Sequence, residues 1–387
     1  MNKEKLAALV ESAKKALNNA KDKVVAFAKS TKDKVVELWN KIVAKTKDLV
    51  AVIVAWWNKL TTGAKAGVIA AVAVVVIVPI VLAIALGGNT PEPTPEPTPD
   101  PVPTAKTYTL VVVTDSEVGV SYGAHEVSNH VLALVYDEDG KIVDARLDCA
   151  QIKPTLNENG EINALDSVLT KVEKAEAYGP MPAGTWYVQS AAFEQLIIGK
   201  TAEEVAALAV EDVYAAGCTM VGTTPVFLNL VAKAFSYEYK VTFETTEDFK
   251  LGVAATSTVK AGWSGNIAIT SNFAGVVVVG DTVAAVMLDV VEQNYSIADG
   301  EEEGTKVLVA PETPAVSKND QGDSYEGMPA GPWYKQARAF AASAVGKTVA
   351  ELADLELTSD ALVAAGCTMQ GTADYKAPLL AAAGYAK

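Results

Sequence analysis

The segment YGPMPAGTWYVQSAAFEQLIIGKTAEEVAAL, residues 178–208, returns as YEGMPAGPWYKQARAFAASAVGKTVAELADL at residues 325–355. The likeness resumes in AAGCTMVGT from Ala215 and AAGCTMQGT from Ala364. Upstream it is weaker: DARLDCAQ, ending at Gln151, parallels AAVMLDVVEQ, ending at Gln293, and SNH at Ser128 parallels SNF at Ser271. A self-match of this kind signals a tandem duplication, with copies at 107–238 and 239–387. Each copy opens with runs rich in Val, Ile and Thr: Tyr108–Thr114 and His130–Asp148, then Lys250–Val259 and Asn266–Val291. Turn signals at Asp137–Gly140 and Gly280–Asp281 break these runs into strands. Short helices follow, and strands grouped ahead of helices predict an α+β unit, an antiparallel sheet with helices on one face.

GKTAEEV and GKTVAEL, at Gly199 and Gly346, invite a phosphate-loop reading, but that motif needs an earlier Gly where Glu194 and Ala341 stand. A glycine helix stop followed by a capping box, Thr201 with Glu204 and Thr348 with Glu351, accounts for both copies. Pro225 suits the first turn of a further helix.

The chemistry-bearing residues are few. Cys218 and Cys367 recur, whereas Cys149 faces only Val290 in the second copy. The expectation is buried small residues, with a Cys218–Cys367 bridge as the alternative. His125 and His130 have no counterparts, and no Ser or Cys close by in sequence completes a catalytic pair, so surface or turn positions are expected. Asp148 and Asp289 recur as single carboxylates near strand ends, read as hydrogen-bonding groups. The residues available suggest neither a metal site nor an enzyme. MPAG(T/P)WY is the most distinctive repeat, a rigid turn that delivers aromatic rings into a helix. Trp186, Tyr187, Trp333 and Tyr334 are therefore the candidate ligand-binding residues, an aromatic wall for a planar or carbohydrate ligand. The alternative reading is an aromatic anchor closing the helices onto the sheet.

Ala66–Leu86 holds 21 residues without a charged or polar side chain. As a helix it covers roughly 30 Å, the thickness of a bilayer core. Lys41, Lys45, Lys47, Lys59 and Lys65 precede it, while Glu92, Glu96 and Asp100 follow. Lysine excess marks the cytoplasmic side, so the chain is expected to cross the cell membrane once, N-terminus inside and residues beyond 88 extracellular. The organisation expected is a cytoplasmic helical segment at 1–63, a transmembrane helix at 64–88, a Pro-rich linker at 89–106, and the two copies. The linker repeats PEPTPEPTPDPVPT, an extended spacer of roughly 43 Å. Residues 1–60 carry a heptad-like seam through Leu6, Val10, Ala13, Leu17, Ala20, Val24 and Phe27, beside Trp39, Trp56 and Trp57. They suit a helix lying on membrane lipid or a self-association element. The chain has a net charge of −15, and its Lys excess is confined to the first 65 residues, which excludes nucleic-acid binding by the acidic remainder.

The pattern Tyr-Gly-Met…Trp-Tyr-x-Gln-Ala…Phe…Val-Gly-Lys-Thr-x-x-Glu-Leu resembles surface proteins and lipoproteins of anaerobic Gram-positive gut bacteria. Its matching positions run from Tyr178, Met181, Trp186, Tyr187, Gln189, Phe193 and Gly199 to Thr201, and from Tyr325, Met328, Trp333, Tyr334, Gln336, Phe340 and Gly346 to Thr348. Some such proteins are FMN-binding-like, similar to extracytoplasmic domains of ion-pumping electron-transport complexes. The resemblance implies flavin as the possible cofactor. The covalent attachment sequence is absent, its nearest string being Trp263-Ser264-Gly265-Asn266, so the flavin would be held non-covalently. The reading is a non-catalytic, membrane-anchored surface protein that binds a ligand, wall polymer or surface-protein partner and has no resident cofactor. The alternative is an extracytoplasmic flavin-binding electron-transfer protein.

Overall fold

The computed structural model describes residues 104–386, apart from 180, 221, 263–264, 326–327, 356–359 and 370–372. The expected membrane helix, its spacer as far as residue 103 and the cytoplasmic segment lie outside the described residues. Among the described residues no helix is long and apolar enough to cross a membrane.

The protein is α+β, with two four-stranded antiparallel sheets. The first sheet comprises β1 (Lys106–Ser121), β2 (Ala124–Asp137), β3 (Ile142–Ile152) and β4 (Val241–Thr245), in the order β3-β2-β1-β4. The second comprises β5 (Phe249–Ala261), β6 (Ile267–Val279), β7 (Thr282–Asp299) and β8 (Lys306–Val309), in sequence order. Long hydrophobic strands such as Val131–Val135 are buried on both faces, because helices cover one side and the other sheet covers the opposite side.

The helices follow in the same order in each copy. The first carries α1 (Lys171–Lys174), α2 (Trp186–Ile197), α3 (Ala202–Ala206), α4 (Val210–Ala215) and α5 (Thr224–Ser236). The second carries α6 (Lys318–Gln321), α7 (Trp333–Ala344), α8 (Asp360–Ala364) and α9 (Ala373–Tyr385). α2 packs on β3 and α5 on β1 and β2; correspondingly α7 packs on β7 and α9 on β5 and β6. Gly252 of β5 is required by this last contact, since a Cβ there would collide with the Ala382 carbonyl of α9. Pro225 sits in the first turn of α5, as expected.

The described residues belong to one compact unit with two buried clusters: one joins the first copy to the seam-facing residues of β5, β6 and β7, and the other lies between the outer face of the second sheet and its helices. The first sheet faces the second, β1 against β7 and β3 against β5. A chain of buried polar groups crosses the seam. The Ser116 hydroxyl donates to Asn129 Oδ1 (2.7 Å), and Asn129 Nδ2 donates to Ser271 Oγ (2.9 Å), which lies 2.8 Å from Ser257 Oγ. Nearby, Thr114 Oγ1 donates to Asp289 Oδ2 (3.1 Å). The copies also exchange backbone. β4 follows the expected boundary at 238 yet pairs with β1, and Leu165 of the first copy bridges to Val259 on β5.

Both sheets carry a register shift at one place, between Val135 and Tyr136 in β2 and between Val277 and Val278 in β6. This common bulge makes Asn129 the counterpart of Ser271 and His130 the counterpart of Asn272. Matching SNH to SNF by sequence therefore slips the alignment by one residue.

Gly275 of β6 lies where the sheets approach closely; a Cβ there would fall within the radius of the Val112 side chain on β1. Gly275→Val should destabilise the protein by about 1–3 kcal/mol, the usual cost of overpacking. Urea denaturation checks this, with Gly119→Ala, at an open exposed position of β1 without positive φ, as the comparison for a glycine outside the seam.

Candidate functional site

The MPAG turns close as expected, with the Gly184 amide donating to the Met181 carbonyl and Gly331 to Met328, both at 3.2 Å. Each turn places Trp at the first residue of a helix. Trp186 and Trp333 are buried in the core, Trp186 edge-on to Phe227 and Trp333 donating through Nε1 to the Tyr375 hydroxyl (3.1 Å). Neither ring lines an open cleft.

Around each Trp stands the same frame. Lys171 holds its ammonium over Tyr178 (5.3 Å) and Trp186 (5.6 Å); Lys318 does so over Tyr325 (5.1 Å) and Trp333 (6.0 Å). These lysines begin α1 and α6, whose second amides, Val172 and Asn319, donate to Asp148 and Asp289 at 3.1 Å. The recurring aspartates are thus buried hydrogen-bonding groups that tie short helices to strands. Gln189 and Gln336 form a matching clasp, donating to Gly184 and Gly331 carbonyls and accepting from the Thr219 and Thr368 amides. GKT has a structural role: Gly199 and Lys200 bond the backbone of Ile142, and Gly346 and Lys347 bond Val283. Both capping boxes form.

The tyrosines of the motif separate the copies. Tyr334 is buried beneath Tyr239, with ring centroids 4.5 Å apart, and the Arg338 guanidinium lies 4.7 Å from Tyr239 and 5.3 Å from Tyr334. This leaves a residual cleft of about 20 Å³ beside α7. Beside α2 the corresponding cleft is open, with a volume of about 670 Å³. Tyr187 lines it, together with Arg146, Asp148, Glu173, Glu194 and Tyr385. Within the matched segments Ala191 stands for Arg338 and Glu194 for Ala341.

Glu194 is buried on α2, with Oε1 accepting from the Leu147 amide (2.8 Å) and Oε2 lying 3.9 Å from Arg146. Arg146 is itself paired with Asp144 at 2.7 Å. Burial raises Glu194 to about 7, against the Leu147 amide and Arg146, which favour the carboxylate. Burial likewise raises Asp148 to about 7, although the Thr170 hydroxyl and two amides favour its ionised form. The tyrosine hydroxyls donate to carboxylates at the rim, Tyr187 to Glu176 (2.8 Å) and Tyr385 to Glu173 (3.2 Å).

A second cluster, unseen in the sequence, lies on the helix-facing side of the first sheet. His130 and Cys149 are cross-strand neighbours on β2 and β3, and both are fully buried rather than at the surface or in a turn. Cys149 Sγ lies 4.0 Å from His130 Nε2, which lies 3.1 Å from Glu117 Oε2. Burial opposes the imidazolium, but Cys149 and Glu117 lift His130 to about 9. Burial also pushes the Cys149 thiol up, yet His130 and Lys171 bring it below its ordinary value. In the second copy Asn272 and Val290 hold these places, so the fold itself does not require the pair. Among the described residues, the clefts detailed above do not reach Cys149. His125 is in β2, edge-on to Tyr295 at 5.5 Å. All three cysteines are free and buried, which removes the Cys218–Cys367 bridge.

Among the described residues no group of His, Cys, Asp and Glu is placed to hold a metal ion. The open cleft does not fit FMN well: Asp148, Glu173 and Glu194 oppose a phosphate, and Arg146 is already paired with Asp144. Comparison with protein-family models, curated proteins and solved structures gave no match.

Glu194 binds its proton more tightly in the folded chain than in the unfolded chain. Between pH 4.5 and about 7 the folded state therefore holds more protons, and stability falls as pH rises through that window. A displacement of this size is worth roughly 3 kcal/mol. Glu194→Gln keeps the acceptor for Leu147 and removes the charge, so its stability should decline less from pH 5 to pH 8, as read by chemical denaturation at each pH.

Proposed function

We propose that this chain is a membrane-tethered, extracytoplasmic binding protein that holds a small organic ligand in the cleft beside α2. The observation that carries this reading is the difference between two equivalent clefts on one frame. Beside α7 the protein fills the space with Tyr239 and closes it with Arg338; beside α2 about 670 Å³ stays open above two buried carboxylic groups. Volumes of 300–1,000 Å³, with an apolar wall and a few convergent polar groups, are typical of small-molecule sites. The uninterrupted apolar run Ala66–Leu86, the lysines ahead of it and the spacer behind it support the tether and its orientation. Enclosure of Cys149 supports binding rather than nucleophilic catalysis.

Ala191 is exposed at the lip of the cleft, so Ala191→Trp can fill it without disturbing the core. Thermal-shift screening of the full chain in detergent against small metabolites should yield a compound that raises Tm. That shift should vanish in Ala191→Trp. A shift that survives the substitution, or a complete absence of hits, would overturn the reading.

A further inference from the structure

The second copy shows what the framework of the cleft accommodates. There a planar ring, Tyr239, packs against Tyr334 at a tilt of 39°, and a planar cation, the exposed Arg338 guanidinium, lies against both rings. In the first copy Tyr187 takes the place of Tyr334 and lines open space. Two substitutions within the matched helices then act together. Ala191 withdraws the internal cation that Arg338 supplies, and Glu194 installs a buried carboxylate where Ala341 is apolar.

Among the residues that line the cleft, three acids stand beside one cation. Arg146 is ion-paired with both Asp144, at 2.7 Å, and Glu194, at 3.9 Å, so Glu194 shares its cation. Asp148 and Glu173 add further acid on the α1 side. A buried carboxylate whose one cation is shared with a second acid can take a further, closer cation from a ligand. An ammonium would meet the charge alone. A guanidinium is planar and weakly hydrated, can donate in a fork to a carboxylate, and stacks on an aromatic face, so it meets both the acid and the tyrosine.

We propose that the cleft beside α2 binds a guanidinium group, in the place that Arg338 takes beside α7, with its plane against Tyr187 and its N–H groups toward Glu194. This rests on the binding reading above and specifies its ligand chemistry. The group can come from a free small molecule or from the side chain of an arginine in a peptide.

The test is calorimetric titration of the full chain in detergent with N-acetyl-arginine amide, N-acetyl-citrulline amide, N-acetyl-lysine amide and butylguanidinium. Citrulline keeps the shape of arginine without its charge. The arginine derivative should bind, with citrulline at least tenfold weaker and lysine intermediate. Glu194→Gln should weaken arginine binding by a similar factor, while Ala191→Arg, which imports the cation of the second copy, should abolish it. Butylguanidinium binding as tightly as the arginine derivative marks a free small molecule as the source; at least tenfold weaker binding marks a peptide side chain. Equal binding of citrulline and arginine would overturn the guanidinium assignment. So would failure of all four probes while a compound sensitive to Ala191→Trp still binds, which leaves the cleft reading standing. Arginine binding that neither Ala191→Arg nor Ala191→Trp affects would place the ligand elsewhere and sink both.

Discussion

The buried seam between the two sheets is the constraint from which the rest follows. Each sheet presents a face of Val, Ala and Ile that is hidden only because the other copy covers it. Along that seam Ser116, Asn129, Ser271 and Ser257 satisfy one another, and Thr114 satisfies Asp289. A polar chain in an apolar interface is tolerable only when every member is paired, so it also sets which residues face each other. Pairing Asn129 with Ser271 brings structurally equivalent positions together and orients the copies. The helices are then forced to the two outer faces, and the clefts beside α2 and α7 arise at corresponding edges.

Much of this was legible because the duplication amplifies local signals. The capping boxes, the glycine helix stops, Pro225 and the turns at Asp137–Gly140 and Gly280–Asp281 are short-range features, and each stands where the residues place it. β4 and β8 were not legible: their short runs gain strand pairing from neighbours already in place, a tertiary effect with no strong local pattern. The His130–Cys149 pair was missed because 19 residues separate the two in the chain; only the hairpin register, set by the bulge at Val135, makes them neighbours. The motif tryptophans belong to the core, where a Lys ammonium and a Phe or Tyr ring surround each of them.

For the cleft, the informative signal lay in the differences between the matched segments rather than in their identities. Ala191 against Arg338 and Glu194 against Ala341 are two of the seven differences between the matched twelve-residue helices, three residues apart on one face. Their meaning depended on Tyr239, which comes from the connection into β4 and has no motif of its own. Once the duplication defines a common frame, one copy acts as the structural reference for the other. What both share, the Lys–Trp box, the Asp that ties a helix to its strand and the Gln clasp, maintains the fold. What only the first copy carries, the open acidic cleft and the Cys149–His130–Glu117 cluster, is free to serve something else.

The central claim is that the two copies are one cooperative structure. Native-state hydrogen exchange of residues 104–386 within the full chain measures it directly, amide by amide. A shared seam between the sheets predicts that the slowest amides of β2 and β6 open together, with equal free energies, and that Gly275→Val at the seam lowers both sets alike. Opening of one sheet while the other keeps its protection would contradict it.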